Sequence, residues 1–196
     1  MKVVSINCAP VGNLFMSDDS GMRRIATAIH KQPVHVPVEV RKLGIVGDEQ
    51  ADRSIHGGRD KAVYAYPIEH YSFWIAQRAK MLKQEENLPL GFMGENLTLE
   101  GLLENEVWVG DRLQIGSVLM EVTEPRTPCF KFNVKMRMSH AAKLMVQSGY
   151  SGFYMRVLQE GRMQAGDAVV LQPGAHRMTI ASLNDQRRLG RQADLF

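Results

Sequence analysis

The sequence has few of the features that mark secreted, membrane-spanning or nucleic-acid-binding proteins. Its 196 residues include only two cysteines, Cys8 and Cys129, and the first residues form no apolar signal core, which argues against a secreted disulfide scaffold. No apolar run approaches the ~20 residues of a transmembrane helix. With 24 Lys and Arg against 21 Asp and Glu, and no basic run, nothing predicts DNA binding. We expect a cytoplasmic protein with no nucleic-acid or membrane partner.

The hydrophobic pattern predicts a strand-rich α+β domain. Valines alternate with other residues over 34–40, and Pro37 places that strand at a sheet edge or a bulge. A strand over 62–66 is followed by Pro67, a typical first helical residue, and by helical spacing to about residue 83. Further predicted elements are a hairpin over 113–123, a helix over 139–148, and strands over 153–158 and 168–171.

Two loops carry polar groups that a ligand could use. In 27–34, the Thr27 hydroxyl and the Lys31 ammonium precede a strand and could together hold an anionic group. In 91–99, Asn96 follows two glycines and could hydrogen-bond a heterocycle through both its donor and its acceptor. Each has a simpler interpretation, a solvated loop in the first case and a strand-entry turn in the second.

The segment 47–62 is rich in glycine and polar residues. Its adjacent glycines would let the backbone approach a phosphate or oxyanion closely, with His56 and Lys61 as polar partners. The same residues fit a glycine-rich connection between strands in which Asp48 and Asp52 cap turns. Residue types alone leave both interpretations open.

The segment 124–131 contains a cysteine flanked by prolines and by basic residues. Two prolines restrict the loop, and Arg126 and Lys131 bracket Cys129 with positive charge, which favours its thiolate. A thiolate is both a nucleophile and a metal ligand. Cys8 lies in an ordinary strand end and is interpreted as a small buried residue.

Other cofactor and catalytic signatures are missing. No Walker A sequence, dinucleotide fingerprint or flavin or iron–sulfur signature occurs, and the cysteines and histidines lack the ligand-pair spacing of structural zinc. A cysteine-hydrolase pair of Cys129 and His56 is allowed by the residue types, but no hydrolase signature surrounds Cys129. Function must therefore come from the loop segments together.

In their order along the chain, these segments resemble the MOSC family, the domain named after the C-terminal part of molybdenum-cofactor sulfurase, and in particular its small bacterial stand-alone branch linked to N-hydroxylaminopurine resistance. The resemblance covers residues 1–173. The motifs that carry it are Asp48, Asp52, His56-Gly57-Gly58, Lys61-Ala62-Val63, Tyr66-Pro67, Glu69-His70-Tyr71, Trp74, Gly94-Glu95-Asn96-Leu97, Gly110-Asp111, Pro125-Arg126, Pro128-Cys129, Gly152-Phe153-Tyr154 and Gly166-Asp167.

The resemblance implies an α+β, mainly β fold: a MOSC-type β-barrel with flanking helices over 1–173, followed by a short polar C-terminal tail or helix over 174–196. It implies a bound molybdenum cofactor, Mo-molybdopterin, with Cys129 as the metal ligand and Arg126 and Lys31 facing its anionic parts. The implied cofactor-binding residues are Thr27, Lys31, His56, Gly57, Gly58, Lys61, Asn96, Arg126 and Cys129.

The resemblance also implies an activity, the reduction of N-hydroxylated compounds such as hydroxylamino base analogues, and so their detoxification. Cys129 and His56 are the implied catalytic residues, with His56 as proton donor or orienting group because its ordinary pKa lies near neutrality. Electrons would come from a separate flavoprotein or ferredoxin-type reductase.

One departure and two alternatives stay open. Relatives carry a helical extension that is short here, and a homodimer could compensate for it. The alternative function is a sulfur or molybdenum-cofactor carrier without small-substrate turnover, and a third is simple binding of a phosphorylated ligand. The short tail is rich in arginine, with Arg177, Arg187, Arg188 and Arg191.

Overall fold

Strands predominate in the computed structural model, which describes residues 1–18, 21–52 and 57–193. The α-helices of these residues are α1 (Tyr71–Leu82), α2 (Phe130–Met136), α3 (Ala141–Ser148) and α4 (Ile180–Ala193). The strands are β1 (Lys2–Cys8), β2 (Gly12–Asp18), β3 (Gly21–Thr27), β4 (Gln32–Val34), β5 (Val38–Arg41), β6 (Gly44–Ile45), β7 (Val63–Pro67), β8 (Leu97–Glu100), β9 (Arg112–Ile115), β10 (Val118–Pro125), β11 (Phe153–Gln159), β12 (Gly161–Met163) and β13 (Val169–Gln172).

Eight strands form one large sheet in the order β13-β9-β10-β11-β7-β8-β1-β4. Its ladders are antiparallel except between β7 and β8, which run parallel and are joined by a crossover through α1, as parallel neighbours require. A small sheet, β12-β5-β6, and a separate hairpin, β2-β3, complete the strands.

The large sheet curls until its two sides meet. Val3 donates its N–H to Asp167 O at 2.9 Å and accepts from Gly166 N at 2.8 Å, and an isolated bridge joins Lys2 to Ala168 just before β13. These contacts join β1 to the far side of the sheet, although no continuous ladder closes it within the described residues. The predicted mainly β fold with flanking helices is confirmed.

Two apolar cores lie on opposite faces of the sheet. Strand β7 is buried along its whole length, because Val63 and Ala65 face the core inside the curl while Tyr64 and Tyr66 face the helices. In the second core, α1, α2 and α3 meet around Trp74, whose indole N–H donates to Tyr66 OH at 2.5 Å. This second core fixes the helix that follows Cys129.

Some local predictions need correction. The strand predicted over 34–40 is broken, because the chain leaves β4 and enters β5 of the small sheet around Pro37, which has no N–H for a ladder, and Val36 is exposed. The helix after Pro67 begins with a 3-10 turn, so α1 starts only at Tyr71. The β2-β3 hairpin was not predicted, because most of its described side chains are exposed and little apolar periodicity marks it.

The polar segment after Pro173 contains a 14-residue helix, α4, that packs against β10 and α3. Its buried Ile180 and its backbone contact from Ala181 N to Glu104 O at 2.9 Å fix its first turn. Within the described residues, no helix combines the length and apolarity needed to span a bilayer.

Candidate functional site

An open cleft lies where the loops before β4, β7, β8 and α2 meet. It brings together six of the predicted cofactor-binding residues: Thr27, Lys31, Lys61, Asn96, Arg126 and Cys129. Other side chains in its wall include Asp48, Gln50, Asp52, Tyr64, Thr127, Lys131 and Tyr154.

Arg126 is a buried cation in the wall of this cleft. Its side chain is only 8% exposed, and its Nη1 donates to Tyr64 OH at 3.2 Å and to the carbonyl of Met93. The guanidinium lies over the rings of Tyr64 and Phe132, at 4.8 and 5.1 Å from their centroids. No carboxylate of the described residues forms an ion pair with it. A buried charge without a counter-charge is costly, so this position suits an anionic ligand.

Lys31 is also buried, but its charge is compensated. Its ammonium pairs with Asp48 Oδ1, and both side chains are less than a tenth exposed. The same carboxylate accepts from Ala9 N at 2.9 Å and from Asn96 Nδ2 at 2.8 Å. Lys31 therefore belongs to an internal network as well as to the cleft wall.

Asn96 differs from the expectation that both faces of its amide recognise a heterocycle. Its Oδ1 accepts from Tyr64 N at 3.1 Å, while its Nδ2 donates to Asp48 and, at 3.3 Å, to Asn7 O. Donor and acceptor are both engaged within the chain, so Asn96 joins β1, β7 and the loop of Asp48 behind the cleft.

Cys129 lies at the end of the rigid loop, immediately before α2, with extended backbone angles (φ −119°, ψ 176°) and a half-buried side chain. The helix after it is anchored by fully buried Phe132, whose ring meets Trp74 edge-on at 5.3 Å. A second opening reaches Cys129 between Phe130 and Lys61. The thiol is therefore held on a fixed element and approached from two sides.

Lys61 and the glycines before it occupy different places. Gly58 adopts a positive φ of 85° at the start of the 3-10 turn Arg59–Lys61, and this turn brings Lys61 to the cleft. The Lys61 ammonium lies 3.7 Å from Glu124 Oε1 and 5.9 Å from the ring centroid of Tyr154. Gly57 and Gly58 do not line the cleft, and predicted His56 lies outside the described residues.

Two tyrosines of the wall were missed by sequence reasoning. Tyr64 on β7 and Tyr154 on β11 are register partners, with ring centroids 5.2 Å apart. Burial raises the pKa of both phenols, so both hydroxyls stay protonated near neutral pH. A signal was available, since both are polar-tipped residues within mostly apolar predicted strands.

Glu95 supports the cleft from behind. Its carboxylate is fully buried, and its Oε1 accepts from Tyr71 OH at 2.5 Å, Thr98 Oγ1 at 2.8 Å and Gly91 N at 2.9 Å. Oε2 has no hydrogen-bond partner, and burial raises the pKa of this carboxyl. Glu95 thus holds the loop 91–94 against β8.

The other cysteine, Cys8, is not in the cleft wall. Burial and the nearby Asp48 carboxylate raise the pKa of its thiol to about 11, so it is neutral at physiological pH.

Comparison with known proteins places this architecture in a family. The sequence pattern of the MOSC domain matches residues 52–170. The chain belongs to the MOSC domain family. The match includes Lys61, Asn96, Arg126 and Cys129, whereas Thr27 and Lys31 reach the same cleft from the segment before it.

Relatives of this MOSC protein are known from bacteria and a fungus. It is 40% identical over 144 residues to "Uncharacterized protein YflK" of Bacillus subtilis (strain 168), covering 74% of this chain and 62% of that protein. It is 38% identical over 148 residues to "Reductase" of Gibberella moniliformis (strain M3125 / FGSC 7600), covering 75% of this chain and 26% of that protein. The chain therefore spans less than two thirds of these curated relatives. The crystal structure of YiiM from Geobacillus stearothermophilus superposes with a TM-score of 0.75 at 34% identity, over 97% of this chain and 85% of that one.

Proposed function

We propose that this MOSC protein binds a molybdenum–pterin cofactor in the cleft and reduces N-hydroxylated compounds with it. The observation that carries the proposal is the Arg126 guanidinium, buried without a carboxylate partner in the same cleft as the Cys129 thiol. A buried cation calls for an anion, and a thiolate is a soft ligand suited to molybdenum. The two requirements meet in a pterin phosphate that carries this metal.

The residues of the cleft fit such a group. Arg126, Lys61 and Lys131 offer positive charge to phosphate and pterin oxygens, while the charge of Lys31 is already balanced by Asp48. No cluster of three His, Cys, Asp or Glu side chains forms a complete metal site in the described residues, so Cys129 would be the chain's own ligand. When bound, the cofactor would supply the two-electron redox chemistry that reduction of an N–O bond requires.

The chain's side chains then orient and protonate. Tyr154 keeps its proton, and its hydroxyl is a donor in the wall. The Tyr64 hydroxyl is also protonated, but it donates to Ser151 O at 2.7 Å and accepts from Arg126. Reduction of an N–OH group to an amine needs two electrons and two protons and releases water. We propose His56 as proton donor or orienting group, and a separate flavoprotein or ferredoxin-type reductase as the electron source. The relative named "Reductase" supports a redox role.

The test is the metal and pterin content of protein purified from a host that makes the cofactor. Wild type should carry near-stoichiometric molybdenum and pterin, and Cys129→Ala should lose the metal. Cys8→Ala is the matched control, because Cys8 lies outside the cleft wall, and it should keep both.

Turnover is then measured with an N-hydroxylated base analogue and chemically reduced viologen as electron donor. Loaded wild type should form the amine and Cys129→Ala should not. Absence of metal and pterin from the wild type would refute the cofactor proposal, whereas a loaded protein without N–O reduction would indicate the carrier function.

A further inference from the structure

The C-terminal helix α4 contacts the loop that ends at Cys129 through one side chain. Arg187 Nη1 donates to Pro125 O at 2.9 Å and to Thr127 Oγ1 at 3.0 Å, and its Nη2 lies 3.5 Å from Glu124 Oε2. These partners are residues 124, 125 and 127, immediately before the cysteine. A single guanidinium therefore spans the segment that carries both Arg126 and Cys129.

Part of this loop faces open space on two sides. The cleft lies on one side and a second open cleft lies on the other, and Arg126 and Thr127 line both. The second cleft is walled by Met145 of α3 and by Asn184 and Arg187 of α4. Arg126 is held against the rings of Tyr64 and Phe132, but Thr127 is exposed, so the position of Thr127 depends on hydrogen bonds more than on packing.

The ion pair adds a weaker link. Glu124 lies between two cations, with Oε1 3.7 Å from Lys61 Nζ and Oε2 3.5 Å from Arg187. All three side chains are about a third exposed, so the ionic part contributes little. The two hydrogen bonds to Pro125 and Thr127 are the main contacts.

The helix does not need Arg187 for its own attachment. Asn184 Nδ2 donates to Gly149 O at 3.0 Å and to Ser151 Oγ at 2.9 Å, and Ile180 is fully buried. Neighbouring Arg188 points elsewhere, to Asp185 at 2.9 Å. Removing the Arg187 side chain should therefore free the loop without detaching α4.

We infer that Arg187 is a positioning residue of the site: α4 fixes the loop of Arg126 and Cys129 from behind, so that the guanidinium and the thiol face the same ligand. The inference applies to the loop of the cofactor-free protein. Its link to the site rests on the proposed function, in which this loop would hold the cofactor. The helix is then part of the site and not a peripheral tail.

The first test needs no cofactor. Hydrogen–deuterium exchange is measured for the peptide spanning 126–131 in the cofactor-free chain, for wild type, Arg187→Ala, Arg187→Lys and the matched control Arg188→Ala. Loss of two hydrogen bonds should speed exchange there about tenfold in Arg187→Ala. Arg187→Lys should lie between it and wild type, because one ammonium can keep one of the contacts, and Arg188→Ala should match wild type.

The melting temperature distinguishes a local effect of Arg187→Ala on the loop from a general loss of folding stability. The melting temperature of Arg187→Ala should stay close to that of Arg188→Ala, with faster exchange confined to the loop. Equal loop exchange in the two variants would overturn the inference, and so would faster exchange throughout α3, α4 and β10.

A second readout applies to loaded protein. The Mo(V) electron paramagnetic resonance signal and the half-time of metal loss should change in Arg187→Ala and not in Arg188→Ala. If the wild type holds no molybdenum, the proposed function fails, and the exchange experiment still decides the role of Arg187.

Discussion

The two buried cations of the cleft stand in opposite surroundings. Lys31 is neutralised by Asp48, whose remaining acceptor positions are used by Ala9 and Asn96, whereas Arg126 has two neutral acceptors and two aromatic rings. The first arrangement is complete without a ligand and holds β1, β8 and the loop of Asp48 together. The second leaves a buried cation without a carboxylate partner, and on our proposal the ligand's negative charge would lie there.

The largest effect on stability should come from disrupting the buried pair of Lys31 and Asp48. Asp48→Ala leaves Lys31 uncompensated and Ala9 N without its acceptor, and removing one partner of a buried ion pair costs about 3–5 kcal/mol of unfolding free energy. Urea denaturation of the cofactor-free chain measures it. The control Glu49→Ala, at an exposed neighbour, should change stability by about 0.5 kcal/mol.

A double variant sharpens this result. Lys31→Met combined with Asp48→Leu removes both charges and should be more stable than Asp48→Ala alone. If the double variant is the less stable of the two, the buried charge is not what makes Asp48→Ala costly.

Removing the charge of Arg126 should have the opposite pattern, with a small effect on stability and a large effect on cofactor retention. Arg126→Met removes an unpaired buried charge, so the cofactor-free chain should lose much less stability than Asp48→Ala loses. Cofactor retention should fall about 10- to 100-fold, since a hydrogen bond to a charged group contributes about 1.5–3 kcal/mol. Metal and pterin content after dialysis measures this, and undiminished retention would show that Arg126 does not contact the ligand.

We expect the stability of the protein to depend on pH through Glu95, which lies behind the cleft. Burial raises the pKa of its carboxyl in the folded chain, so the native state holds a proton that the unfolded state releases. Its contribution to stability is present below the ordinary pKa of 4.5 and is lost as pH rises through the folded value, by at most about 1.4 kcal/mol per pH unit.

Urea midpoints between pH 4.5 and 8 test this for wild type and Glu95→Gln. The Gln variant should lack the decline with pH, while Glu100→Gln, at an exposed carboxylate, should retain it. Parallel curves for wild type and Glu95→Gln would exclude a protonated Glu95.

The smallest stability effect should come from Lys61→Met. Its pair with Glu124 is long and partly exposed, so unfolding free energy should change by about 0.5 kcal/mol or less. Cofactor retention should nevertheless fall several-fold if Lys61 faces an anion. A large stability change would instead assign Lys61 to the scaffold.

Part of this site could be predicted from the sequence. The rest depended on contacts between side chains that are far apart along the chain. Residue types alone made Thr27, Lys31 and Cys129 candidates, and the resemblance to the MOSC family then implied that they lie with Arg126 around the cofactor, where the structure brings all four into one cleft. That Asp48 would neutralise Lys31 and leave Arg126 unpaired follows from the meeting of separate loops, which local patterns do not encode. Arg187 was predicted only to lie in a short polar tail or helix, because its main partners, a backbone carbonyl and a hydroxyl, leave no local pattern in the sequence.

The link between β1 and the residues before β13 has a consequence for synthesis on the ribosome. Strand β1 emerges first, yet one ladder partner, β8, lies about 90 residues later, and the bridge at Ala168 lies further still. Contacts of such sequence separation are slow to form, because the intervening chain must close a long loop. One edge of β1 can pair early with the nearby β4, whereas the edge that pairs with β8 waits, and the curl can be completed only after Ala168 has left the exit tunnel.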